Sequence, residues 1–493
     1  MSVTNALIFA IRGIFMKDVI ILGCGVIGAA CAYALSQYDV SVTVLEKSND
    51  VANGTTKANS AIVHAGYDPH PGTEMARLNV EGNRMMEDLC RRLDVPFKRV
   101  GSHVLAFSDK DLEHIRQLYD RGVKNGVPGL RLLTREEVRE MEPNLADTVV
   151  GSLYAPTAGI ISPWELALAL AQVAVRNGVE LVLEAPATAI RQEKDGTFTV
   201  TTPKGEFRAK TVLNATGTYA DAVCELLGVH EFTLTPNRGE YYLLDKSEGD
   251  RVHSVIFQCP DENGKGVLVS PTIHGNLIVG PNAEGVSSPD ETGTTVKGLD
   301  TVRRQAMRSV PSLVLRENIR NFAGVRANHS KDDFYIRESL TVPGFFLLAG
   351  IKSPGLSAAP AIAEEAVKYV HSRTPLCRKA DFRDGRHVVR SKHLTDEEKC
   401  RVIAEDPRYG RVICRCETVT EGEIVAAIHS EIPPTSINGV KRRVGAGMGR
   451  CQGGFCGPRV QEILGRELGV PMEEIPMDQP GSYILTGRTK EIE

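Results

Sequence analysis

The first readable pattern lies at residues 18–22 (DVIIL), an unbroken apolar run rich in β-branched side chains, which predicts a strand buried on both faces. A glycine-rich turn follows, and residues 29–36 then read as a helix whose small apolar positions let it lie close to a sheet. Residues 40–45 (VSVTVL) supply a second strand that ends at Glu46. Beyond it, apolar positions at three- and four-residue spacing predict helices over 74–93, 109–125, 135–141 and 163–177. Runs at 103–107 and 179–183 read as strands, and short strands between turn residues recur around 240–244, 266–270 and 276–279. The succession predicts an α/β fold, with an alternating strand–helix domain and an antiparallel sheet over a pocket. Residues 373–406 interrupt it with Pro375, many charges and little apolar periodicity, so they read as a linker.

A chain of 493 residues exceeds what one hydrophobic core supports, so two or three domains are expected. The formal net charge of −4 gives no whole-chain reason to expect nucleic acid as a partner. The first sixteen residues (MSVTNALIFAIRGIFM) are too short to span a bilayer, which takes ~20 apolar residues. They lack a basic start and a small-residue cleavage site. They read as an N-terminal extension, 1–16, from an early start codon or a loose tail, with peripheral contact at a membrane surface as the other reading. The eleven cysteines change the picture more. Seven are scattered, and an odd total with uneven spacing argues against a disulfide scaffold and for a reducing cytoplasm.

Candidate chemistry begins at the first turn. Gly23, Gly25 and Gly28 stand at G-x-G-x-x-G spacing, with Val26 and Ile27 completing the motif. The first permits the tight turn, the second lets the backbone approach a pyrophosphate, and the third allows close helix–strand packing. The helix N-terminus offers free N–H groups and a positive dipole end to the phosphates. Glu46, followed by Lys47, is placed to accept hydrogen bonds from a ribose diol, and a carboxylate there disfavours a 2′-phosphate. This unit alone suits FAD or NAD.

Three later segments favour FAD. Residues 54–69 (GTTKANSAIVHAGYDP) form a hydroxyl-rich loop running into a strand, and residues 213–220 (LNATGTYA) carry a strand into a turn with Ala215 and Gly217. Residues 350–363 (GIKSPGLSAAPAIA) open a small-residue helix from a turn holding Gly350, Ser353, Gly355 and Leu356. A second helix N-terminus of this kind suits a cofactor bound in extended form. Each segment alone is equally an ordinary strand-to-helix connection.

Together these residues resemble the D-amino-acid-oxidase-like superfamily of FAD oxidoreductases over about residues 17–369. Glycerol-3-phosphate and L-2-hydroxyglutarate dehydrogenases are the nearest in look. The motifs that carry it are GCGVIG with Glu46, NSAIVHAGYDP, NATGTYAD, NRGEYY, SPTIHGNLIVGPNA and GIKSPGLSAAPAIA. The resemblance implies that Thr55, Thr56, Asn59 and Ser60 lie along the FAD, and that the backbone of Ala187 sits near its adenine. It sets His64 facing the flavin, where a histidine that is otherwise more often structural becomes the candidate general base. Arg326 (in FAGVRANHSKDDF) is the candidate anion clamp, since a guanidinium binds phosphate or carboxylate bidentately. Lys352 stands where an uncharged or acidic residue is expected; it and Arg238 are weaker candidates for substrate contact, and any of these cations also reads as an ordinary ion pair.

The remaining cysteines, Cys414, Cys416, Cys451 and Cys456, fall within 43 residues as C-x-C, 34 residues, then C-x4-C. Gly445, Gly447, Gly449, Gly453 and Gly454 crowd the second pair and let backbone N–H groups approach sulfur. Thr420 with Glu423 predicts a capping box for a helix through His429, and another helix is expected from Pro458 through Leu464. Four thiolates in two local pairs suit zinc or an iron–sulfur cluster, and C-x-C is unfavourable for structural zinc. Residues 410–468, with the motif AGMGRCQGGFC, resemble the bacterioferritin-associated-ferredoxin-like 2Fe–2S domain, which occurs fused to flavin dehydrogenases of the superfamily above. The resemblance implies a 2Fe–2S cluster on the four thiolates. Lys441, Arg442, Arg443 and Arg450 would flank it, either as a solvated face or to offset the cluster's negative charge.

The expected organisation is a Rossmann-type FAD-binding domain interleaved with an antiparallel-sheet substrate domain (17–370), a linker (371–409), a small helical 2Fe–2S domain (410–470) and a tail (471–493). Three functions compete: a dehydrogenase of a small anionic hydroxy compound, with glycerol 3-phosphate ahead of 2-hydroxyglutarate; an amine or amino-acid dehydrogenase; and a non-catalytic electron-transfer subunit. The first is favoured. A built-in cluster is of little use to an oxidase, so a redox partner protein or quinone-linked acceptor is expected, in an oligomer or hetero-oligomer.

Overall fold

The computed structural model describes residues 16–260, 266–487 and 490, so the expected extension lies outside the described residues except for Met16. The described residues fall into two units: one up to Lys47 and from Ala52 to Gly385, the other Ser48–Val51 together with residues from Arg386 onward.

The first unit carries two large sheets. In one, strand Lys17–Leu22 lies between Val42–Leu45 and Gly205–Asn214, parallel to both, with Leu22 opposite Leu45 on one side and Asn214 on the other. Glu180–Val182 extends the parallel set at one edge, and Phe345–Ala349 pairs in parallel with the end of Gly205–Asn214. Where both faces are covered, as at residues 19–22, 42–45, 211–214 and 345–349, these strands are buried throughout, and Ile20, Val212 and Phe345 are fully buried. The helix expected at 29–36 begins earlier, at Val26, because Gly25 is its N-cap and the glycine motif itself forms the first turn.

The other sheet has nine strands. Its backbone is the long antiparallel pair Leu234–Leu244 and Asn318–His329, with Asn237 opposite Arg326 and Gly239 opposite Gly324. Val255–Gln258 and Ser102–Ala106 form a parallel pair within it, a departure from the all-antiparallel expectation. Helix Val296–Ser309 covers one face, burying Val302 and Ala306 against Leu105, Val269 and Val279.

The second unit is small and mostly helical. Helices Glu421–Ile428, Ile437–Val444 and Gly457–Leu468 pack around Ile424, Val440, Val460 and Leu464. The Thr420–Glu423 capping box is present in both directions. The stretch expected to be a linker contains helix Asp396–Glu405, capped by Thr395 and Glu398. None of its residues is buried, which is why no apolar period marks it.

Candidate active site and iron–sulfur site

The nucleotide turn is built by close approach. Gly23 has φ +91°, and a Cβ there would sit 2.8 Å from the Ala215 carbonyl oxygen. A Cβ on Gly28 would sit 2.0 Å from the Gly23 carbonyl oxygen, so only glycine seats the helix on this turn. Helix Val26–Ser36 has no side-chain cap and no acid in its first turn, leaving its positive end without a built-in anion. Glu46, 7% exposed, accepts the Cys24 N–H at 2.7 Å, so the turn itself orients this carboxylate. Lys47 lies with Nζ 3.6 Å over the ring of Tyr219, just past Gly217. Ala187 is half-buried between strands Glu180–Val182 and Ala189–Gln192, packed on the core of the same sheet. These features fit an FAD.

The hydroxyl-rich loop ties the turn to the second sheet. Val26 N–H donates to Thr56 Oγ1 at 2.9 Å, and Thr55 Oγ1 donates to the Val325 carbonyl at 2.7 Å. The Asn59 amide donates to the carbonyls of Thr55 and Thr56 at 3.2 and 2.9 Å, and its oxygen accepts Ala61 N–H at 2.8 Å. Ser60 Oγ lies 3.2 Å from Tyr241 Oη. Ala52 and Ala61 both hold φ +59°, a left-handed backbone that costs a non-glycine residue ~1–3 kcal/mol. Strain of this kind persists only where surrounding bonds over-determine the loop.

His64 is fixed on both sides of its backbone. Its N–H donates to Ser357 Oγ at 2.7 Å, and its carbonyl accepts the amides of Asn79 and Asn83 at 3.2 and 2.9 Å. Its Nε2 lies 3.0 Å from Ser353 Oγ, and its ring stacks on Phe257 at 5.7 Å. The loop and the 350–363 turn, which meet at this contact between residues 289 apart, thus form one site. Gly350 lies against His329, where a Cβ would come within 2.8 Å of the histidine Cβ. Lys352 is ion-paired with Asp332, and Asp333 instead accepts the Glu74 and Met75 N–H groups at a helix start.

Arg326 reaches diagonally across the ladder. Its Nη1 donates to Asn237 Oδ1 at 2.6 Å and its Nη2 to the Asn282 carbonyl at 3.1 Å. Among the described residues it has no carboxylate partner. Arg238 does: Glu284 at 2.9 Å and Glu240 at 3.3 Å. A Cβ on Gly239 would meet Arg326 Nη2 at 2.3 Å, and one on Gly324 would meet the Ala58 carbonyl at 1.9 Å. This glycine pair makes room for both the guanidinium and the cofactor loop. The sequence reading missed Gly239, Ser357, Phe257 and Tyr241. Gly239 and Tyr241 left a signal inside the NRGEYY motif and Ser357 inside GIKSPGLSAAPAIA, whereas Phe257 left none.

In the second unit the four predicted cysteines come together as two pairs. Cys416 and Cys451 have their sulfurs 3.8 Å apart, and Cys456 is hydrogen-bonded to Cys414. Two thiolates ~2.3 Å from one tetrahedral ion lie ~3.8 Å apart. The hydrogen bond from Cys456 pulls the Cys414 thiol down to about 6, and the N–H groups of Gly447 and Glu417 add to it. The N–H groups of Phe455 and Gly453 lower the Cys451 thiol in the same way. A Cβ on Gly449 would lie 2.2 Å from Cys416 Cβ, so the glycine is required for the two loops to approach. The donor set fits a 2Fe–2S cluster. Of the flanking cations, Arg442 and Arg443 are buried and paired with Asp50, at 3.1 and 2.8 Å, rather than solvated.

A dinucleotide cradle beside a histidine, with four thiols in a second unit, defines a flavin oxidoreductase carrying an iron–sulfur domain. The chain belongs to the FAD dependent oxidoreductase (DAO) family, matched over residues 18–369, and residues 412–466 match the BFD-like [2Fe-2S] binding domain. It is an FAD-dependent oxidoreductase with a 2Fe–2S domain. It is 50% identical over 477 residues to a glycerol 3-phosphate dehydrogenase from Caloramator mitchellensis, covering 96% of this chain and 99% of that protein. The FAD-bound L-alpha-glycerophosphate oxidase of Mycoplasma pneumoniae superposes with a TM-score of 0.73 at 33% identity, covering 76% of this chain and 99% of that one. L-2-hydroxyglutarate dehydrogenase of Escherichia coli K12 is 32% identical over 54% of this chain and 64% of its own length. Among the described residues no helix is long and apolar enough to cross a membrane.

Proposed function

We propose that the protein oxidises glycerol 3-phosphate at its secondary alcohol and delivers the electrons, by way of its cluster domain, to an acceptor other than oxygen. The observation that carries this reading is the 50% identity to a glycerol 3-phosphate dehydrogenase across 96% of the chain, cluster domain included. When bound, FAD supplies the hydride acceptor and the 2Fe–2S cluster a one-electron relay. His64 takes the hydroxyl proton at Nε2, and Ser353 and Phe257 hold the ring in place for it. Arg326 binds the phosphate; both of its acceptors are neutral, so the incoming anion displaces no carboxylate. Lys352 is the second candidate cation. Its partner Asp332 is 71% exposed, so the carboxylate is free to yield its place to a phosphate oxygen.

L-2-hydroxyglutarate is the alternative substrate, supported by a match over about half the chain. Anaerobic mixing with each compound, followed by flavin absorbance, separates them. Glycerol 3-phosphate should bleach the flavin completely, and L-2-hydroxyglutarate and amino acids should leave it oxidised. Bleaching by an amino acid instead would overturn the assignment.

A further inference from the structure

The four ligand cysteines are not equally exposed. Cys414 and Cys456 are buried at 1% and 2%, whereas Cys416 is exposed and Cys451 half-exposed. An external redox centre therefore approaches the cluster most closely at the Cys416–Cys451 edge. Phe455 stands at that edge. Its N–H donates to Cys451 sulfur, so its backbone is tied to a ligand, yet its side chain is 88% exposed. On the companion loop Val412 is 50% exposed.

The exposed charges on these two loops have one sign. Arg415, between Cys414 and Cys416, and Arg450, beside Cys451, are exposed. Arg415 makes no hydrogen bond or ion pair among the described residues. The acid on these loops, Glu417, is 6% exposed and lies 3.9 Å from Lys392. Single exposed apolar side chains are ordinary on protein surfaces. An exposed aromatic ring together with exposed arginines is the composition enriched where proteins dock.

Resting on the reading above, we propose that Phe455, Arg415 and Arg450 form the docking face for an acidic one-electron carrier protein, which takes electrons from the cluster at its Cys416–Cys451 edge. Oxidation of one alcohol to a ketone releases two electrons and two protons. Two oxidised carrier molecules are therefore reduced per substrate, and the protons pass to solvent.

The holoenzyme, supplied with glycerol 3-phosphate under anaerobic conditions, is tested with the soluble haem domain of cytochrome b5 as an acidic probe. Cytochrome c serves as a basic probe and menadione as a small uncharged one. Reduction of cytochrome b5 should outpace that of cytochrome c and slow as salt is raised, because screening removes the steering. Arg415→Glu should lower its second-order rate about tenfold at low salt. Phe455→Ala should weaken saturation by cytochrome b5 and flatten none of the salt dependence. Both variants should keep wild-type iron content, flavin bleaching and menadione reduction. Cytochrome b5 reduction that is absent, slower than cytochrome c reduction, or unchanged in both variants would overturn the docking face. Failure of glycerol 3-phosphate to bleach the wild-type flavin would overturn the substrate reading instead, and the two failures are read at different wavelengths.

Discussion

At the residue scale the site rests on short hydrogen bonds to His64 and on an arginine with only neutral partners. His64→Asn should slow flavin reduction at saturating substrate by ~10²–10⁴-fold, the loss expected when a general base is removed. Arg326→Ala should mainly raise KM, since the clamp holds ground and transition states alike. Gly239→Ala belongs with the second: its methyl would enter the space of Arg326 Nη2, 2.3 Å away, and push the guanidinium aside. Rapid-mixing anaerobic reduction at a series of substrate concentrations gives both constants, and a wild-type limiting rate in His64→Asn would put the base elsewhere. His64 and Arg326 were readable as candidates because each sits in a local motif. Gly239 sits in a motif too, but its role was not readable there, because it lies in a side chain that crosses from the neighbouring strand.

At the element scale, capping and close packing explain what was legible. Helices Asp109–Lys124, Arg135–Met141 and Glu421–Ile428 begin at hydroxyl caps written in the sequence, and each was read within a residue or two of its bounds. Helix Ile437–Val444 was missed because its Lys441–Arg442–Arg443 run looked like a solvated face. Two of those arginines are buried by Asp50, 392 and 393 residues away, a partner no local pattern announces. The glycine turn gives the sharpest test at this scale. Gly25→Val would drive a branched side chain into Thr56 Oγ1, already 3.2 Å from a Cβ there, and fill the pyrophosphate's approach. The variant should fold and purify without the yellow colour of flavin. Retention of stoichiometric FAD would refute the role given to this turn.

At the scale of the whole molecule, two chemistries occupy two units, so one can be removed without the other. Cys451→Ser should lower iron from about two per chain toward zero and keep FAD, flavin bleaching by substrate and the main thermal transition of the first unit. Electron delivery to protein acceptors should fail. Stoichiometric zinc in the wild-type protein, without iron or acid-labile sulfide, would falsify the cluster assignment. The nucleotide turn and the cysteine motif were legible because each is local. What the sequence could not disclose is that the second unit is discontinuous, since Ser48–Val51 carries no motif of its own.

That discontinuity governs how the polypeptide is made. Asp50 leaves the ribosome long before its arginine partner Arg443, which follows 393 residues later. N-terminal domains generally fold first as they emerge. Here the early-made loop holds a carboxylate whose counter-charges do not yet exist, so the smaller unit closes only after Arg442 and Arg443 have been made. A transcript that ends before codon 442 yields a chain whose Asp50 lacks both of these arginines, and a gene fragment that begins at codon 386 yields Arg443 without Asp50 and leaves Arg442 with Asp478 alone.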